Sequence, residues 1–251
     1  MKTVVITGAA SGMGLAATKI FLVHNWNVAM ADYNQEQGQQ KADELAKKYS
    51  TEQVKFFQTD VSDEKSVEKL AKSVADNFDY ADALLNNAGV FTGGMLHEVK
   101  TADWDRIMNI DVKSIYLMSK YFVPSMIERK SGVIVNTASV SGLMGDYNMA
   151  AYNAAKGAVV NLVRSMALDY GQYGIRVNNV NPGPTNTPMF QQNPQSVIDE
   201  FVEASPMKKL VEPEDVAKTM YFLTTDGAKS ITGQNIPVTA GFGVWSSQPK
   251  Q

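Results

Sequence analysis

Seven short runs rich in β-branched and apolar residues alternate with helix-length segments along the chain, and this alternation most constrains how it can fold. The runs are TVVITG, NVAMAD, VKFFQTDV, DALLNNAG, GVIVNTAS, RVNNVNPG and QNIPVTAG; helical patterns cover 14–25, 36–49, 64–78, 104–128, 151–173 and 213–225. Strands that read as continuous apolar runs, rather than alternating ones, suit a sheet covered on both faces. The order strand-helix-strand then predicts a parallel sheet with right-handed crossovers, a doubly wound, Rossmann-like α/β fold with helices on both faces. At 251 residues, without repeats or low-complexity linkers, 1–251 reads as a single domain. The interval from Pro182 to Pro213 departs from the pattern: it adds Pro184, Pro188, Pro194 and Pro206, polar runs and the helical fragment SVIDEFVEA. An irregular insertion after a strand end, here about 184–212, is usually functional in a compact domain and often a lid.

Composition removes several kinds of chemistry. The chain has no cysteine, which excludes disulfides and thiol catalysis, and its two histidines, His24 and His97, lack metal-ligand spacing. No metal is expected. A net charge of −3 argues against nucleic acid as a partner. No apolar run approaches the ~18 residues that span a bilayer, and MKTVVITGAASGMG lacks the apolar core and cleavage site of a signal peptide. The expectation is a cytoplasmic protein with no membrane partner.

The chemistry-bearing residues gather where the strand runs end. TGAASGMG follows the first run and opens a helix, placing Gly8, Gly12 and Gly14 in a GxxxGxG variant of the dinucleotide fingerprint. Such glycines permit a tight turn and let backbone amides approach a pyrophosphate, which the helix N-terminus favours. Asp32 ends the second run, 18 residues beyond Gly14, where an acid can accept hydrogen bonds from the adenosine ribose. The same carboxylate repels the additional phosphate of NADP. No arginine or lysine immediately follows it, and Ser11 inside the turn is not basic. NAD is therefore the expected cofactor, preferred over NADP.

Two segments place a phenol and an ammonium on one helical face: YLMSK at Tyr116–Lys120 and YNAAK at Tyr152–Lys156. A phenol, with a pKa of about 10, is poorly matched to neutral pH, and a neighbouring ammonium favours the phenolate. Spacing alone cannot say which pair is used.

Taken in order, TGAASGMG, Asp60–Val61, NNAG at Asn86–Gly89, Asn109, Ser139, YNAAK and NPG at Asn181–Gly183 resemble the short-chain dehydrogenase/reductase family, classical type, over essentially the whole chain. The resemblance separates the two pairs. In that family the catalytic tyrosine follows the catalytic serine at the interval that separates Tyr152 from Ser139, and no such serine precedes Tyr116. It implies hydride transfer between NAD(H) and a secondary alcohol or ketone. Tyr152 would be general base in oxidation and general acid in reduction. Lys156 would lower the phenol's pKa and bind the nicotinamide ribose, Ser139 would hydrogen-bond the substrate oxygen, and Asn109 would hold a water in a relay to Lys156. Thr137 and Ser141 remain competitors for the role of Ser139, because strand alternation puts all three on one side.

Cofactor contacts are implied at Gly8, Ser11, Gly12, Met13, Gly14, Asp32, Asp60, Val61, Asn87, Ala88, Gly89, Tyr152, Lys156, Pro182, Gly183, Thr185 and Thr187. Thr187 is preferred over Thr185 for the carboxamide or pyrophosphate. The expected substrate wall comprises Ser139, Val140, Met144, Tyr147, Met149, Tyr152, Met189 and Phe190, which suits a compact, mostly apolar alcohol or ketone.

A 3-oxoacyl-carrier-protein-type reductase is the second enzymatic reading, but it would normally use NADPH, against Asp32. A non-catalytic NAD-binding regulator is the reading from another class, and the presence of Ser139, Tyr152 and Lys156 argues against it. One departure from the family pattern is Thr239-Ala240-Gly241, where Asp-Gly-Gly is usual. The helices at 104–128 and 151–173 are apolar on more than one side. By resemblance they form an intersubunit four-helix contact, so a homotetramer is expected, with a dimer as fallback and the tail VWSSQPKQ as the less certain second interface.

Overall fold

In the computed structural model, which describes residues 1–244, the seven apolar runs become seven strands of one sheet. They are β1 (Thr3–Thr7), β2 (Asn27–Asp32), β3 (Val54–Gln58), β4 (Ala83–Asn86), β5 (Gly132–Thr137), β6 (Ile175–Pro182) and β7 (Asn235–Val238). The helices are α1 (Gly12–Val23), α2 (Gln35–Ala46), α3 (Glu64–Phe78), α4 (Thr101–Ile107), α5 (Ser114–Arg129), α6 (Ala150–Gly171), α7 (Gln195–Ala204) and α8 (Pro213–Thr224). Strand order is β3-β2-β1-β4-β5-β6-β7 with every pair parallel. The direction of winding changes between β1 and β4, which opens a crevice at the carboxyl ends of those strands.

Alternation along each strand fills two cores. Val4 and Ile6 of β1 pack with Phe21 and Leu22 of α1 and with Val216, Met220 and Leu223 of α8. Val5 faces the other way, onto Val67 and Leu70 of α3, Leu117 and Met118 of α5, and Val159 and Val163 of α6. Each such fully buried aliphatic side chain stabilises the fold by roughly 1.5–3 kcal/mol, which is what makes a run apolar on both faces a central strand. Local signals agree with the packing. Asn34 and Asp63 cap α2 and α3 by accepting from the amides of Gln37 and Ser66, and Pro213 occupies the first turn of α8.

A buried amide ladder crosses the sheet towards α6. Asn86, Asn136, Asn179 and Asn235 are register partners, and each donates its side-chain N–H to the next one's Oδ1 at 2.8, 3.1 and 2.8 Å. Asn179 and Asn235 also donate to the carbonyls of Val159 and Val160, both at 3.0 Å. Polar groups this deep need partners, and here the partners fix α6 onto the strand ends.

Three local features were not legible as expected. The continuous helix at 104–128 is interrupted: α4 stops at Ile107, a π-turn spans Met108–Lys113, and α5 begins at Ser114. A π-turn admits an additional residue and rotates the phase of the side chains beyond it. The insertion is pinched at its base, where Thr185 pairs with Val211, Val211 N donates to Pro184 O (2.9 Å) and Asn186 N donates to Val211 O (2.8 Å). Its Phe190 packs on Phe201 of α7, and Phe201 on Phe242 beyond β7, at 5.4 and 5.7 Å between ring centres. In the altered turn after β7, Ala240 takes a left-handed φ of +52°. Met207 N donates to its carbonyl, so the turn still closes against the end of the insertion. The tail beyond Val244 lies outside the described residues.

Candidate active site

The glycine turn joins β1 to α1 at the crevice. Gly8 and Gly12 have φ of +65° and +50°, and a Cβ on Gly14 would strike the Gly8 carbonyl and approach Asn87 Nδ2 to 2.8 Å. Backbone thus packs on backbone, leaving the amides at the start of α1 facing the crevice, the donor set a pyrophosphate requires. Asn87 holds that geometry from β4. Its Nδ2 donates to Thr7 O (3.0 Å), its Oδ1 accepts from Thr137 Oγ1 (3.2 Å), and the amides of Asn87 and Ala88 donate to Thr7 Oγ1.

Asp32 stands at the end of β2 beside this turn. Its Oδ2 accepts from Ala10 N (2.9 Å) and its Oδ1 from Asn34 N (3.0 Å). A carboxylate has about four acceptor positions, so two remain for ribose hydroxyls. Asp60 is tied into a local turn by Ser62, whose N and Oγ donate to Oδ1 at 2.9 and 2.6 Å, next to buried Val61. Thr187 lies against the glycine turn, its methyl 3.4 Å from where a Gly12 Cβ would be. Thr185 instead turns inward and donates to Gly183 O (2.8 Å). Gly183 itself donates to Val238 O (3.0 Å) just after Pro182. A dinucleotide fits this set: a glycine cradle that a Cβ would fill, helix amides for the phosphates and an acid for the ribose.

Beyond the crevice, α6 carries Tyr152 and Lys156. Lys156 is buried, its Nζ donating to Thr137 O (2.9 Å) and lying 2.9 Å from Asp111 Oδ2. Burial pushes its pKa down; the Asp111 carboxylate and the Tyr152 phenol push it up, and the net shift is upward. The ammonium sits 5.7 Å from the centre of the Tyr152 ring. Phe91 packs on the same ring at 5.5 Å. The other Tyr–Lys pair lies elsewhere: Tyr116 is 56 % exposed on α5, and Lys120 pairs with Glu64.

Ser139 follows β5 and is buried. Its Oγ accepts from Ser141 N (3.1 Å), which leaves the hydroxyl hydrogen free to donate, and its carbonyl accepts from Asn181 Nδ2 (3.0 Å). Because β5 ends at Thr137, strand alternation does not extend to 139 and 141. The Thr137 hydroxyl is committed to Asn87, and Ser141 lies in the 3-10 turn Val140–Gly142.

Asn109 is not part of this constellation. It faces solvent from the π-turn, while Asp111, two residues on, is turned inward against Lys156. Tyr147, expected in the substrate wall, is 97 % exposed, so in this chain it projects into solvent. Met144 and Val140 both lie against Gly243. Phe190 joins the aromatic stack of the insertion, Met189 is exposed, and Met149 pairs with Gly94 in an isolated bridge. Phe91, Asp111 and Asn153 were not anticipated. Asn153 Nδ2 reaches the carbonyls of Ser141 (2.6 Å) and Met144 (2.8 Å) and fixes the turn after Ser139.

The family profile described as enoyl-(acyl carrier protein) reductase matches residues 8–243. Meso-2,3-butanediol dehydrogenase of Serratia marcescens is 44 % identical over 99 % of this chain and 97 % of its own. 2-(S)-hydroxypropyl-CoM dehydrogenase 3 of Xanthobacter autotrophicus is 38 % identical over 96 % of each. Among solved structures, levodione reductase superposes with a TM-score of 0.91 at 31 % identity, covering 96 % of both chains. 3-Ketoacyl-(acyl-carrier-protein) reductase from Brucella melitensis complexed with NADH gives 0.89 at 29 % identity, covering 96 % of this chain and 97 % of that one. ElxO with NADP bound gives 0.91 at 31 % identity, covering 97 % and 99 %. With a parallel doubly wound sheet, a glycine turn at its switch point and a profile match across nearly its whole length, the chain belongs to the short-chain dehydrogenase/reductase family of nicotinamide-dependent oxidoreductases.

Proposed function

We propose that the chain interconverts a compact secondary alcohol and its ketone using NAD(H), with Ser139, Tyr152 and Lys156 as the reacting set. The observation that carries this reading is the buried Lys156 ammonium, fixed by Thr137 O and Asp111 beside the Tyr152 ring. When bound, the nicotinamide supplies the hydride acceptor or donor. Ser139, its oxygen held by the Ser141 amide, donates its hydroxyl hydrogen to the substrate oxygen. Tyr152 takes the alcohol proton in oxidation and returns it in reduction, with the Lys156 ammonium held beside its ring. Phe91 packs edge-on against the tyrosine ring. The amides of the glycine turn, Asp32 and Thr187 would hold the dinucleotide, and the insertion at 184–212 would close over the substrate as part of one catalytic domain.

The diol named for the Serratia relative makes vicinal diols and hydroxyketones the first compounds to test. A panel of these, with simple secondary alcohols, ketones and a 3-oxoacyl thioester, is followed by NADH or NADPH absorbance. Turnover of compact alcohols or ketones is expected; turnover of the thioester alone, with NADPH, would replace this reading by the acyl-carrier one. Asp32, followed by Tyr33 and Asn34 rather than a basic residue, sets the cofactor preference. NAD(H) should exceed NADP(H) at least tenfold in kcat/KM, on the order of 1.4 kcal/mol, and parity between them would refute the role given to Asp32.

The assembly proposed is a homotetramer, with a dimer as fallback. On α6 Leu168 is 81 % exposed, and on α5 Tyr116 lies open, so both helices keep apolar surface that the sheet does not cover. Light scattering at micromolar concentration should give a multiple of the 27.4 kDa chain; a mass at the monomer value would overturn both forms.

A further inference from the structure

The π-turn presents a carboxylate where the sequence reading had placed an amide. Asp111 is 2 % exposed, and a buried carboxylate is tolerated only with compensating partners. Asp111 has two. Its Oδ1 accepts from Val90 N (2.8 Å), in the segment just after NNAG, and its Oδ2 pairs with Lys156 Nζ at 2.9 Å. Oδ2 accepts no aligned hydrogen bond, so this second contact is a charge pair. Gly89 leaves room for it, since a Cβ there would stand 2.9 Å from Oδ2 and 3.5 Å from Nζ. One side chain thus joins the π-turn, the backbone beside the cofactor crevice and the catalytic helix.

We infer that Asp111 is a positioning residue that acts through Lys156, its negative charge setting the pH window in which the Tyr152–Lys156 pair works. The inference rests on the dehydrogenase reading above. The charged or titratable groups acting on Lys156 are Asp111 from the π-turn and Tyr152 from its own helix. The partners from β5 and from the segment after β4, Thr137 O and Val90 N, are neutral. The Tyr152 phenol therefore lies beside an ammonium already paired with an anion. Burial draws Lys156 towards the neutral amine, and the Asp111 charge opposes this. Removing that charge moves both groups in the same direction, acidward.

Asp111→Asn keeps the size and an oxygen for Val90 N while deleting the charge. The expected result is an acidward displacement of the whole kcat/KM profile for alcohol oxidation by about one pH unit, with NADH affinity retained and Tm lowered, since Lys156 loses its buried counter-charge. Asp111→Ala, which also deprives Val90 N of its acceptor, should in addition weaken NADH binding several-fold. If Asp111→Asn does not fold, Asp111→Ser removes the same charge with less bulk and should give the same displacement. A second readout needs no turnover: the tyrosinate ultraviolet difference between the protein and Tyr152→Phe, titrated with NADH bound, with and without Asp111→Asn. An onset moved acidward supports the inference even if no alcohol in the panel reacts, which would sink only the dehydrogenase reading. Superimposable profiles and onsets, in an active and folded variant, would leave Asp111 a purely structural residue and overturn the inference.

Discussion

Tyr152→Phe should lower kcat by about 10³-fold while leaving NADH affinity within a few-fold, because it removes a proton-transferring hydroxyl needed only in the transition state. Tyr116→Phe serves as the matched control. It deletes the same atom from a tyrosine with the same spacing to a lysine, but on the exposed face of α5, beside a Lys120 already paired with Glu64. Steady-state kinetics with a substrate from the panel, together with NADH fluorescence titration, reads both variants. Tyr116→Phe should keep most of the activity. Equal losses in the two would mean that burial and the Asp111–Lys156 pair do not select the reacting phenol.

The second large effect is expected at Gly14. An alanine methyl there would be driven into the Gly8 carbonyl and against Asn87 Nδ2, and neither can retreat easily. The Gly8 carbonyl belongs to a turn with φ of +65°, and Asn87 is held by Thr7 and Thr137. Gly14→Ala should destabilise the fold by about 2–4 kcal/mol, the upper range of overpacking, and weaken NADH binding by about 100-fold or more as the α1 amides are displaced. Gly145→Ala is the control, because a Cβ at that position meets nothing within 4 Å and its φ is not in the left-handed region. Urea unfolding and NADH titration of the two variants check the contrast. A stable Gly14→Ala that binds NADH normally would mean that the turn relaxes and that its close packing is not what presents the amides.

The sheet was legible because each strand must be apolar on both faces. A run such as VVI in β1 suits a central strand, and the strand-helix-strand order makes its pairing with β2 and β4 parallel; their register is seen only in the structure. The glycine turn and Asp32 were read from residue types demanded at strand ends, and Ser139 and YNAAK from the family resemblance; the fold places the first three at strand ends and YNAAK in α6. Asn109 misled because it was carried over from the family resemblance alone, and two positions along a helix lie nearly on opposite faces. The signal that could have corrected it was present. Asp111 is four residues from both Ile107 and Ile115, on the buried stripe that continues through Met118, and a carboxylate on such a stripe requires a cationic partner. Tyr147 and Phe91 show the limit of reading a pocket from hydrophobicity alone. The first is apolar in type yet exposed, while the second reaches Tyr152 through a loop path that no local pattern encodes.

The central claim is direct transfer of hydrogen between a carbinol carbon and the nicotinamide, with Tyr152 handling the proton. It is tested by incubating the protein with NAD and a secondary alcohol deuterated at the carbinol carbon, then weighing the reduced cofactor by mass spectrometry. The expected result is singly deuterated NADH from the unmodified protein and none above background from Tyr152→Phe. Unlabelled NADH, or equal labelling by the Tyr152→Phe variant, would contradict it.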